Sequence, residues 1–130
     1  MDQPRASVLI CSDIASHLES KNLTFIEAFD ALASLAFPSE ASFFAVAKVW
    51  GLAEDRTHDL HLRLMAPGGV EMVRAGEHRI TPAREVQVHT AVSRFASISF
   101  PRPGLYEVQA VLAGAVIGAV PLQINQVTGS

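Results

Sequence analysis

Hydrophobic and polar residues alternate along much of this chain with a period of two. Asp59 to Ala66 shows it most cleanly: Leu60, Leu62 and Leu64 take one side, and His61, Arg63 and Met65 take the other. A strand with one buried face requires that alternation, because successive side chains point to opposite sides of a sheet. Pro67-Gly68-Gly69 then turns the chain into Val70–Arg74, a hairpin signature. Glu85 to Val92 alternates again, with Val86, Val88 and Val92 on one side and Gln87, His89 and Ser93 on the other. Arg94 falls in the valine row, and burying an unpaired guanidinium is costly. The pattern therefore predicts a break at Arg94 or a carboxylate beside it. Ser42 to Trp50 is a nearly continuous apolar run, as expected for a central strand covered on both faces.

The stretch FPRPGLYEVQAVLAG, Phe100 to Gly114, reads as the joint between two strands. Pro103 cannot donate to a sheet ladder and Gly104 tolerates a turn, so the pair ends one strand and starts the next. Leu105 to Leu112, a tight turn at Ala113-Gly114, and Ala115 to Ile124 then form a hairpin with mostly apolar legs. The Tyr106 hydroxyl is placed to tie down a neighbouring backbone group, as in the tyrosine corners of sandwiches. Val116, Ile117, Val120, Leu122 and Ile124 lack the charged guards of an exposed edge, and Pro121 is a weak one. The last strand is therefore expected to lie inside a sheet or under a second subunit, which favours a homo-oligomer.

Leu23 to Phe37 is ambiguous. Phe25, Phe29, Leu32, Ala33 and Ala36 fit a helical stripe, whereas Leu23, Phe25, Phe29, Ala31, Ala33, Leu35 and Phe37 fit a strand interrupted by Glu27. Local propensity leans to helix because of the alanines.

Four features occur in a familiar order: Leu9-Ile-Cys-Ser-Asp13, the polar turn at Lys21-Asn22, the segment ending in Phe37-Pro38, and Phe100 to Tyr106 with its Pro-Gly-x-Tyr. In this the chain resembles an uncharacterised family of small bacterial β-sandwich domains. That family usually carries two acidic residues after its cysteine, whereas here Ser12 precedes a single Asp13. The resemblance implies a sandwich and a strand at Leu23–Phe37, with Glu27 or Asp30 at a bulge or exposed edge. It implies no activity. Together with the repeated period-two runs it predicts an all-β fold: an antiparallel β-sandwich, Ig-like or related, of seven to nine strands in one domain over 1–130.

Composition agrees with a packed core. Of 130 residues, 49% are hydrophobic and 18% charged, and the net charge of −3 implies no highly charged partner. One cysteine, Cys11, excludes an internal disulfide and a multi-cysteine zinc site and suits a cytoplasmic setting. The opening apolar run is too short for a signal peptide. Gly114 to Gly118 matches a membrane-helix pairing motif, yet the apolar run Ala110–Leu122 is only 13 residues long and contains Pro121. A spanning helix needs about 20 residues, so no membrane is expected.

Three groups of residues carry candidate chemistry. His58, His61 and His89, with Asp59, suit a divalent metal in type. On a strand, however, Asp59 shares the side of His61, His58 sits at the loop edge, and His89 would have to come from a neighbour. Solvated histidines on a polar face are the simpler reading. Cys11 with Asp13 and His17 has the residues of a thiol nucleophile, but an adjacent carboxylate raises a thiol pKa. A buried structural cysteine fits better.

The arginines are unevenly spread. Residues 74 to 102 hold Arg74, Arg79, Arg84, Arg94 and Arg102 against Glu77 and Glu85, a local charge of +3. Without interleaved aromatics that is a solvated surface, and nucleic acid is not expected. No catalytic residue, cofactor site or metal site is therefore assigned. The sequence points to a non-catalytic binding or assembly module with a protein partner or self-association. A small-ligand or metal-dependent enzyme using His58, His61 and His89, and a structural building block of a larger particle, stand as alternatives.

Overall fold

A computed structural model describes residues 3–16, 22–84 and 87–127. His17, Lys21, Glu85 and Val86 lie outside the described residues. The described residues form nine strands: β1 Arg5–Ser16, β2 Leu23–Ala28, β3 Ala31–Ser34, β4 Ser39–Trp50, β5 His58–Ala66, β6 Val70–Ile80, β7 Val88–Phe100, β8 Gly104–Leu112 and β9 Ala115–Gln126. They build two facing sheets, one in the order β2-β1-β4-β7 and the other β3-β9-β8-β5-β6. All neighbours pair antiparallel except β3 with β9, which run parallel. This is the expected all-β sandwich, with nine strands and one parallel pair in an otherwise antiparallel arrangement.

The core is filled by the inward row of each strand. Ile10, Phe43, Ala45, Ala47, Val49, Ala91 and Phe95 of sheet one meet Leu60, Leu62, Leu64, Tyr106, Val108, Leu122 and Ile124 of sheet two. Phe43 lies opposite Phe95 in register and stacks on it with centroids 5.0 Å apart. Fully burying each such ring contributes roughly 1.5–3 kcal/mol.

Leu23 to Phe37 is extended, not helical, but it is two strands rather than one. β2 pairs with β1 in sheet one, and β3 pairs with β9 in sheet two. At the crossing, the Phe29 N–H donates to the Ile10 carbonyl at 2.9 Å, and the Asp30 carbonyl accepts from Gln123 N–H at 2.8 Å. The inward parity changes there as well. Phe29, Leu32 and Phe37 pack on the core, while Ala31 and Ala33 are exposed. Glu27 is exposed with φ 52°, and Asp30 is exposed too.

β7 corrects the reading of Arg94. Its inward residues are Ala91, Ser93 and Phe95, with His89 on the same parity, so Val88, Val92 and Arg94 belong to the outward row. Arg94 is exposed and needs no break. The irregularity comes later, where Phe95 and Ile98 are both buried with two exposed residues between them. Ser97 there takes φ 51°, and its N–H donates to Ser42 Oγ at 2.8 Å. That local acceptor satisfies an amide the bulge takes out of the ladder.

β9 pairs with β8 along its length, and β3 covers its other side only from Gln123 to Gln126. Beside Ala115 to Leu122 no further strand pairs with β9 among the described residues. β1 packs on β9 from the facing sheet, and its Ala6 carbonyl lies so close that a Cβ on Gly118 would overlap it. Pro121 has the parity of Gln123, which donates toward β3, so its missing N–H faces the unpaired side and costs no ladder bond. The Gly114–Gly118 stretch is turn and strand, not helix. Among the described residues no helix is long and apolar enough to cross a membrane.

The joint before β8 is a tyrosine corner: Tyr106 is buried, and its hydroxyl donates to the Arg102 carbonyl at 2.6 Å. Phe100 packs edge-on against the Tyr106 ring, with centroids 5.0 Å apart. Tyr106→Phe is expected to lower unfolding free energy by about 1 kcal/mol, read from urea denaturation, because it removes one hydrogen bond and keeps the ring. Gly118→Val should cost about 1–3 kcal/mol by forcing β1 away from β9. A Gly118→Val protein with wild-type thermal stability would show that the contact is slack.

Candidate functional site

The three histidines that suit a metal do not converge. His61 lies on the outer face of sheet two, opposite Glu77 of β6. His89 sits on the inward row of β7, half-buried, and not on an outward face as the alternation suggested. His58 begins β5, and its Nε2 is 2.9 Å from the Ala53 carbonyl, which uses one ring nitrogen in a loop contact. Among the described residues no group of three or more His, Cys, Asp or Glu is placed to hold a metal ion.

Cys11 is buried and its thiol pKa is raised, first by burial and then by the Asp13 carboxylate. A raised pKa keeps the sulfur protonated and unreactive, which fits a structural thiol. His17 is outside the described residues. The arginines of 74–102 are likewise scattered. Arg74 binds Glu71 at 3.1 Å, and Arg79 meets Asp59 at 3.4 Å across an exposed pair. Arg94 belongs to the opposite sheet, and Arg84 and Arg102 are exposed on connections.

What the structure does assemble is a contrast between the two outer faces. On sheet one, Leu9, Val46 and Val92 lie side by side in register, flanked by Cys11 and Phe44. Val46 is 2% exposed and Cys11 0%, although both point away from the core between the sheets. Ile26 on edge strand β2 is 42% exposed beside this band, and Trp50 pairs with Val88, 54% exposed, at one end. The continuous apolar run of β4 thus has the core between the sheets on one side and, on the other, an outward row in which Val46 is enclosed beside Leu9 and Val92. Sequence alternation missed this face because Val88 and Val92 were assigned to the core.

Sheet two presents polar side chains instead. Arg63 donates from Nε to Gln109 Oε1 at 2.8 Å, and its Nη1 lies 3.5 Å from Glu71 Oε1. Arg74 donates from Nε to both Glu71 oxygens, at 3.1 and 3.2 Å. The hydrogen bond from Arg74 is the main cause of a Glu71 pKa below the usual carboxylate value, with Arg63 adding to it. His61, beside them, has a lowered pKa because burial and then the two guanidinium groups disfavour its protonated form. Its Nε2 is enclosed without a hydrogen-bond partner.

The His61 shift has a sign that can be checked. Protonation is harder in the folded state, so stability is full above the ordinary histidine pKa of 6.5 and falls as pH drops below it. Glu71 acts in a separate window: its contribution is present above 4.5 and is lost as pH falls further. Thermal unfolding followed from pH 8 to pH 4 is expected to show a melting temperature declining from about 6.5 downward, as linkage requires. His61→Gln should flatten that first decline and leave the part below 4.5 in place. An unchanged profile in His61→Gln would assign the decline to other groups.

Comparison with known proteins gives a distant structural likeness and a family. A CARDB domain from Pyrococcus furiosus, solved in complex with di-metal ions, aligns over 97% of this chain and 96% of its own, with 7% sequence identity and a TM-score of 0.49. No curated protein matches the chain in sequence. A family model matches residues 6–125, which span every strand but the outermost residues of β1 and β9. On that match the chain belongs to DUF6941, a family of unknown function.

Proposed function

We propose that this chain is a non-catalytic assembly module that pairs with a second copy of itself through the outer face of sheet one. The observation that carries the reading is the apolar band Leu9, Cys11, Phe44, Val46 and Val92, with Ile26 exposed beside it. A sandwich face turned to water normally alternates apolar-in and polar-out. Here the central strand is apolar on both rows, which is the composition of a strand with a layer on each side. Ile26, Trp50 and Val88 leave apolar surface exposed on this face, and exposed apolar surface on a soluble domain marks an interaction site.

A pleated apolar face is best matched in shape by another one, packed at about −30°. Every copy of this chain carries such a face, so a two-fold pair uses the same patch twice. A free, buried Cys11 within the band supports a reducing cytoplasmic setting for the assembly. His58, His61 and His89 do not converge, so they lend no support to the alternative of a metal-dependent enzyme.

Sedimentation velocity over a wide concentration range tests the proposal. Wild type is expected to self-associate, and Ile26→Lys combined with Val92→Lys to remain monomeric with an unchanged circular dichroism spectrum. Both positions lie outside the core between the sheets, so folding should survive within about 1 kcal/mol. A wild type that stays monomeric at millimolar concentration, or a double variant that associates as well as wild type, would reject the pairing.

A further inference from the structure

The polar row on the outer face of sheet two ends unbalanced. Glu71 of β6 is held by Arg74 and Arg63, so its charge is met twice. Arg63 of β5 is turned toward Glu71 and toward Gln109 of β8. Gln109 then passes the row on: its Oε1 accepts from Arg63, and its Nε2 donates to Glu107 Oε2 at 3.0 Å. Glu107 is half-buried, and among the described residues no Lys or Arg forms an ion pair with it. A half-buried carboxylate answered by one neutral amide is poorly compensated.

That carboxylate lines a hollow of about 270 Å³. Its lining joins apolar side chains, Met65, Leu105 and Pro121, to the polar ends of Glu107 and Gln109, with the Pro67-Gly68-Gly69 turn beside them. Gly68 and Gly69 have open space where a side chain would be, so the turn leaves the entrance clear. Leu105 is 57% exposed, a large apolar side chain left at the rim. Apolar side chains leading to a carboxylate match a long side chain that has a methylene stem and a cationic head.

We propose that this hollow receives a lysine or arginine side chain of a partner polypeptide, the stem lying along Leu105, Met65 and Pro121 and the head meeting Glu107. The site is on the face opposite the band used for self-association, so either proposal can fail without the other. Gln109 serves as a positioning residue: its bond from Arg63 fixes the amide so that its N–H side points at Glu107.

The test is amide chemical-shift titration of the full chain with three blocked pentapeptides carrying lysine, arginine or norleucine between glycines. Saturable shifts are expected at Gly68, Gly69, Leu105 and Glu107 with both cationic peptides and not with the norleucine peptide. Glu107→Gln should weaken binding about threefold to fivefold, the worth of one partly exposed ion pair. Leu105→Ala, at an exposed position, should weaken it about twofold through lost stem contact. Equal shifts with norleucine, an affinity unchanged in Glu107→Gln, or shifts spread over exposed acids such as Glu54 and Asp55 would each overturn the proposal.

Discussion

Two hydrogen bonds made by adjacent residues hold the architecture together. Phe29 gives its N–H to Ile10 in one sheet, and Asp30 accepts from Gln123 in the other. One dipeptide is therefore bonded to both layers, which fixes how β1 sits against β9. The packing follows from that stitch. Phe29 reaches the core edge-on to Phe43, and β1 comes near enough to β9 that only a glycine fits at 118. Backbone groups left buried without partners are costly, so the crossing is as constrained as the strands it joins.

The two outward surfaces then divide the chemistry. Sheet one turns out a band without charge at its centre, and sheet two turns out a row of interlocked side chains from Glu71 to Glu107. The difference begins in the sequence of the central strands. β4 is apolar at consecutive positions, whereas β5 alternates leucine with His61 and Arg63. A pleated strand sends those residues to opposite sides regardless of what waits there.

Much of the fold was legible in the chain. Leu60-Leu62-Leu64 and the Pro-Gly-Gly turn announced the β5–β6 hairpin, and Pro103-Gly104 with Tyr106 announced the corner before β8. The β2–β3 segment was legible as extended only through family resemblance, because its alanines suit a helix and its change of sheet has no local signal. Arg94 shows another limit. Alternation gives two rows but does not say which one is inward, and Val88 and Val92 were more persuasive than Ala91, Ser93 and Phe95. The surfaces were least legible, since Gln109 joins Arg63 to Glu107 only after a register that no pattern within one strand contains.

The parallel pairing of β3 with β9 also sets how the molecule bears a load. Tension applied beyond Gln126 runs along β9, across ladder bonds to β8 on one side and β3 on the other. Those bonds lie crosswise to the pull, so they resist in shear and share the force, instead of opening one at a time as an end-loaded hairpin does. The stitch at Asp30 adds an anchor from the same strand into the second layer. A tether attached at that end would grip the whole sandwich, not a single strand.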